Sequence, residues 1–222
     1  MKGRLSRLPP APTDIEQSLW ESGHSVVCGT DEVGRGPLAG PVVSAAVVLR
    51  QWCKPIKGVL DSKRLSRGTL EAAEQEIKST ALFWSIGEAS SQEIDKLNIL
   101  NASLLSMKRA VIGLECCPDY ILVDGNQKIK GLDTDQMTVV SGDSLSASIA
   151  AASILAKVER DRIMTNYHQL HPEYGWDRNA GYPVREHLSA IKSHGITPLH
   201  RASFRPCRQA VEDTQCFLGK VR

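Results

Sequence analysis

The chain has 222 residues, 41% hydrophobic but only 5% aromatic, enough for one ordinary domain with a core of aliphatics and alanine. A formal net charge of +2 is too small for bulk composition to announce nucleic-acid binding, and no uncharged run reaches bilayer length. The six cysteines (28, 53, 116, 117, 207, 216) form no Cys-x-x-Cys pair, which argues against a disulfide framework or zinc site and fits reduced thiols in a cytoplasmic protein.

In chain order, residues 1–13 hold prolines and scattered arginines and read as a flexible arm. A short helix is expected over 14–21. Strands over 25–31 and 41–49 follow, joined by a loop short enough to make them antiparallel neighbours. Periodicity predicts a helix over 67–79 and a strand over 81–88. Ser90-Ser91-Gln92-Glu93 has capping-box spacing and opens a helical region that ends at Gly113. Tyr120-Ile121-Leu122-Val123 is a continuous apolar run, suited to a strand buried on both faces. A fifth strand is expected over 137–140, then a long Ala/Ser-rich helix from Gly142-Asp143-Ser144 to about Tyr167. Pro172 ends it, and helices near 184–193 and 205–213 close the chain. The order predicts an α/β or α+β fold in which an antiparallel pair leads into parallel strands. From Arg178 onward eight Lys/Arg face three acids, a local excess that suits a phosphate-bearing partner or a solvated tail.

The chemistry-bearing stretch is Thr30-Asp31-Glu32-Val33-Gly34-Arg35-Gly36-Pro37, two carboxylates at a strand's end followed by a glycine loop. Neighbours on a regular strand point to opposite faces, but the loop lets the second carboxylate turn toward the first. Glycines also let a ligand approach main-chain N–H groups. If the strands ending at Asp31 and Asp124 are parallel neighbours, both acids leave the sheet at one edge. Asp143 stands where a helix N-cap is expected. Taken singly, an exposed acidic pair and a capping Asp explain these positions. Taken together, converging carboxylates need a cation, and a set of hard oxygen donors suits Mg²⁺ or Mn²⁺, the apparatus of phosphoryl transfer. Gly34-x-Gly36-x-x-x-Gly40 misses the dinucleotide-binding spacing, and His168-x-x-His171 has no third ligand near it in sequence.

The blocks Asp31-Glu32-Val33-Gly34-Arg35-Gly36-Pro37-Leu38-Ala39-Gly40-Pro41, Asp61-Ser62-Lys63, Leu122-Val123-Asp124-Gly125-Asn126, Gly142-Asp143-Ser144 with Ala151 to Val158, Gly181-Tyr182-Pro183 and His200-Arg201-x-Ser203-Phe204 together resemble the type 2 ribonucleases H, over about residues 25–207. The resemblance implies a ribonuclease-H-like fold, a mixed five-stranded sheet flanked by helices, over 14–168, with a C-terminal helical extension over 169–222 packing on the same domain. It implies a monomeric endonuclease that cuts the RNA strand of RNA–DNA hybrids, and cuts 5′ of single ribonucleotides in duplex DNA, leaving 3′-hydroxyl and 5′-phosphate ends. Asp31, Glu32, Asp124 and Asp143 match the family's metal-binding catalytic carboxylates. Gly34-Arg35-Gly36 matches the loop that reads the 2′-hydroxyl, the group that separates RNA from DNA. Tyr182 matches the tyrosine at the RNA–DNA junction, and Lys63 is placed for a backbone phosphate.

The sequence departs from the family pattern at Ser141, where a lysine is expected, and at Ala180 and Val184, where Lys and Thr are common. Those departures bear on affinity and substrate preference. A type 3 ribonuclease H would carry an additional N-terminal domain, for which the two dozen residues before the first strand are too few. A non-catalytic binding module would lack one of the acids, and a small-molecule phosphatase would cleave nucleotide monoesters rather than hybrids.

Overall fold

The computed structural model describes residues 11–53 and 67–219. Lys63 and most of the 1–13 arm lie outside them. The chain forms two compact units, one of residues 1–33, 43–88 and 103–158, the other of 34–42, 89–102 and 159–222.

The first unit is built on five strands: β1 (Val27–Val33), β2 (Val42–Val48), β3 (Phe83–Ala89), β4 (Tyr120–Asp124) and β5 (Asp135–Val139). Their order is β3-β2-β1-β4-β5. β1 pairs antiparallel with β2 and parallel with β4, and β4 pairs parallel with β5. This is the predicted mixed sheet. β2, Val-Val-Ser-Ala-Ala-Val-Val, is buried throughout, and each fully buried valine is worth about 1.5–3 kcal/mol relative to exposure. Its one hydroxyl, Ser44 Oγ, is satisfied at 2.6 Å by Ser106 Oγ.

Helix α1 (Asp14–Glu21) covers part of the sheet, with Leu19 and Trp20 packed against Val27, Leu122, Val139 and Ile149. α2 (Arg67–Thr80) lies where periodicity predicts it. The helical region after Ser90 is two helices, α3 (Ser91–Leu97) and α4 (Ile99–Ile112), with the capping box formed as expected. The break between them is Asn98, at φ 68°. Its side-chain oxygen accepts from Asn101 N–H at 3.1 Å, so one residue ends α3 and caps α4.

The long helix α5 (Ala147–Leu170) starts later than expected. Gly142–Ser144 is a separate 3₁₀ turn, so Asp143 does not cap α5. Its start packs closely on β1: a Cβ on Gly29 would strike the Ser148 and Ile149 backbone. That approach explains both the glycine in a central strand and the small residues Ala150, Ala151 and Ala152, all fully buried.

In the second unit, a 3₁₀ turn (Pro172–Tyr174), α6 (Trp176–Asn179), α7 (Arg185–His194) and α8 (Arg205–Gly219) follow α5. The short pieces over 172–179 have no period long enough to show in sequence. Leu38, Ala39, Met164, Tyr174, Trp176, Ala190, Ile191 and Cys207 form this unit's core.

Candidate active site

In the parallel β1–β4 pair Thr30 stands opposite Val123, so the next residues, Asp31 and Asp124, end their strands at one edge. Asp31 is buried, while Glu32 and Asp124 are half-buried. The Asp31 Oδ1 accepts from Glu32 N–H at 2.7 Å, and Ser153 on α5 also hydrogen-bonds its carboxyl. Burial, then the charges of Glu32 and Asp124, push the Asp31 carboxyl well above the usual carboxylate range, and those two hydrogen bonds only partly oppose them. Among the described residues, no lysine or arginine offsets those charges at Asp31.

Asp124 Oδ1 accepts from Gly142 N–H at 2.7 Å, which brings the 3₁₀ turn and the buried Asp143 to the end of β4. A Cβ on Gly142 would sit 3.1 Å from that oxygen and press on Ile149, so glycine suits the turn. The four predicted acids are therefore connected through β1, β4 and one turn. Among the described residues, no group of three or more His, Cys, Asp or Glu side chains is gathered closely enough to hold a metal ion as it stands. The donor chemistry nonetheless fits a hard divalent cation: crowded carboxylate oxygens with one member forced toward protonation. His168 and His171 instead face Asp177 and Glu173, at 3.3 and 3.4 Å.

Sequence analysis overlooked Glu16. Fully buried, it accepts from Ser148 N–H at 2.9 Å and from the Ser146 and Ser148 hydroxyls, each at 2.6 Å. A carboxylate from α1 thus satisfies the N-terminus of α5, the role foreseen for Asp143. The signal was its helical spacing, since Glu16 shares a face with the buried Leu19 and Trp20.

The second unit contains the glycine loop. Gly34 has φ +100°, and a Cβ there would overlap the Arg160 side chain. Gly36 would direct a Cβ at the Tyr182 ring, 3.4 Å away. So the loop and Tyr182, matched separately in sequence, are neighbours. Tyr182 is exposed at 44%, while its backbone is fastened: its N–H donates to Asn179 O at 2.9 Å and its carbonyl is 3.0 Å from His187 Nδ1.

That histidine belongs to a buried chain whose partners dictate its tautomers. Trp176 Nε1 donates to His187 Nε2 at 3.1 Å, which leaves the proton on Nδ1 for the Tyr182 carbonyl. His200 Nδ1 accepts from Thr197 N–H at 3.0 Å, so its Nε2–H points to His187 Nε2 at 3.2 Å. Burial, then the neighbouring His187, lowers His200 to about 3, and burial also lowers His187.

The mixed sheet in the order β3-β2-β1-β4-β5 is the fold of the ribonuclease H class of nucleic-acid hydrolases. A family model described as Ribonuclease HII matches residues 28–207. The ribonuclease HII of Chlorobium phaeovibrioides is 50% identical over 197 residues, 87% of this chain and 96% of that protein. That of Ruegeria pomeroyi is 52% identical over 191 residues, 86% of this chain and 81% of its own. The crystal structure of ribonuclease H2 from Pyrococcus horikoshii superimposes with TM-score 0.73 at 26% identity, over 86% of this chain and 99% of that one. The chain belongs to the ribonuclease HII family.

Proposed function

We propose that this enzyme hydrolyses the RNA strand of RNA–DNA hybrids and cuts on the 5′ side of single ribonucleotides embedded in duplex DNA. The observation that carries the catalytic part is Asp31, buried beside Glu32 and Asp124, whose charges push its carboxyl up. Such a set is costly without a cation. In this proposal Asp31, Glu32, Asp124 and Asp143 hold divalent metal, Mg²⁺ or Mn²⁺. Two such ions, when bound, would activate water and stabilise the leaving 3′-oxygen. Ser153 and the Glu32 N–H orient the Asp31 carboxyl, and the Gly142 N–H orients Asp124. The Gly34-Arg35-Gly36 loop, two residues beyond Glu32 in the chain, reads the ribose 2′-hydroxyl, and the exposed Tyr182 ring packs at the RNA–DNA junction. Lys63 contacts a backbone phosphate. Hydrolysis leaves a 3′-hydroxyl and a 5′-phosphate. A monomer in the cytoplasm agrees with five described cysteines that are all free, and no described helix is long and apolar enough to cross a membrane.

The test uses three matched duplexes: all DNA, one ribonucleotide, and full hybrid, each with Mg²⁺ or Mn²⁺, with the cut ends mapped. Wild type is expected to cut the second 5′ of the ribonucleotide and the third within RNA, and folded Asp124→Asn to cut neither. An uncut single-ribonucleotide duplex would overturn the incision part, and full activity in Asp124→Asn would overturn the carboxylate assignment.

A further inference from the structure

The Gly34–Pro41 segment is held by two buried arginines to which the family resemblance gave no role. Arg201 is fully buried and, among the described residues, donates to carbonyls alone: Nε to Gly40 O at 3.0 Å, Nη1 to Arg35 O at 3.0 Å, and Nη2 to Gly34 O at 2.6 Å, Gly40 O at 2.9 Å and Pro41 O at 3.2 Å. Arg160, equally buried, donates from Nε to Pro41 O at 3.1 Å, from Nη2 to Ala39 O at 3.1 Å and from Nη1 to Ala180 O at 3.0 Å. Among the described residues neither guanidinium is in ion-pair contact with a carboxylate. Burial lowers Arg160 to about 10 and Arg201 to about 9, and in Arg201 the Arg160 charge adds to the effect. Two cations kept out of water with only neutral acceptors are expensive to maintain, so their geometry calls for a reason.

The peptide plane supplies one. In a trans peptide the N–H points opposite to the carbonyl, and no peptide bond here is cis. With the carbonyls of Gly34 and Arg35 drawn onto Arg201, the N–H groups of Arg35 and Gly36 are directed away from it. Gly36 is also the residue that faces the Tyr182 ring. Arg160 ties the same segment to Ala180, two residues before Tyr182. We propose that Arg201 and Arg160 are positioning residues for ribonucleotide recognition: by holding six carbonyls of the 34–41 and 180 segments, they fix which backbone groups the glycine loop offers to the 2′-hydroxyl. This rests on the loop reading the 2′-hydroxyl, as proposed above. Lysine would keep the charge but not the planar fork of five donors, so it could not hold the Gly34 and Arg35 carbonyls together.

The experiment compares wild type, Arg201→Lys and Arg160→Lys as full chains. Dissociation constants for the single-ribonucleotide and all-DNA duplexes are measured in EDTA by fluorescence anisotropy, with folding checked by circular dichroism. Wild type is expected to prefer the ribonucleotide duplex, and folded Arg201→Lys to lose that preference about tenfold with little change on all-DNA duplex; Arg160→Lys should lose it in part. A folded Arg201→Lys that keeps the wild-type ratio overturns the proposal. Wild type without any preference would instead sink the recognition role of the loop itself. If both variants fail to fold, the wild-type guanidinium Nε–H signals in ¹⁵N NMR decide. Two slowly exchanging signals at pH 8 support the pinning, and rapid exchange of both overturns it.

Discussion

The end of β1 and the loop that follows it handle buried charge in opposite ways. At Asp31 like charges are crowded, and among the described residues those that act on it include two other acids but no base. Around Arg201 and Arg160 each guanidinium nitrogen finds a carbonyl, so cations with no ion-paired carboxylate among the described residues are held by neutral acceptors. A buried carboxyl raised by its acidic neighbours is suited to sit beside a bound cation. A guanidinium pair held by carbonyls is suited to keep backbone in a single conformation. In the first region, removing a charge should therefore stabilise the protein; in the second it should do the reverse.

The largest effect is expected on the arginine side. Arg201→Met leaves the Gly34, Arg35 and Gly40 carbonyls without their donor and should cost about 3–5 kcal/mol, judged by what breaking buried charged networks costs elsewhere. Denaturant unfolding would measure it, and a loss below that of an ordinary surface substitution would break the comparison. Glu16→Ala comes next. It strips the α5 N-terminus of its acceptor and should lower stability by about 1–2 kcal/mol, seen as a lower denaturant midpoint at unchanged slope. It should also weaken divalent-metal binding measured calorimetrically, because Asp143 lies just before that terminus.

The most specific effect, read as a change of slope with pH, concerns the buried histidine pair. His187 and His200 are held below their ordinary values in the folded protein. The unfolded chain therefore takes up protons below about pH 6.5 that the folded one refuses, and stability falls as pH falls, for His200 down to about pH 3. The expected slope is about 1.4 kcal/mol per pH unit for His200 in that window, and His187 steepens it just below its ordinary value. His200→Asn should flatten it, and an unchanged slope would remove the histidines from the account.

Much of this was legible in sequence, because strands, turns and acids at the ends of strands are local signals. β1, β2 and β4 appear as apolar runs, and Asp31, Glu32, Asp124 and Asp143 occupy run ends and a turn. Contacts between distant segments were not legible. Nothing local joins Arg201 to Gly34, or Glu16 to Ser148, and a buried arginine reads in sequence as a surface cation. The misplaced start of α5 has the same origin: a Gly-Asp-Ser stretch resembles an N-cap, but the cap comes from a carboxylate 130 residues away from Ser146.

The most direct test of the crowded-carboxylate claim is thermal unfolding of wild type and Asp31→Asn at pH 7, each in EDTA and in Mg²⁺. The folded-state carboxyl of Asp31 is raised, so its burial favours folding only at pH low enough to keep it protonated, and its charge costs stability at neutral pH. Asp31→Asn should melt higher than wild type in EDTA, by about 2–4 °C for each kcal/mol relieved, while Mg²⁺ should raise the melting temperature of wild type alone. An Asp31→Asn protein that melts no higher in EDTA and responds to Mg²⁺ as wild type does would contradict the account.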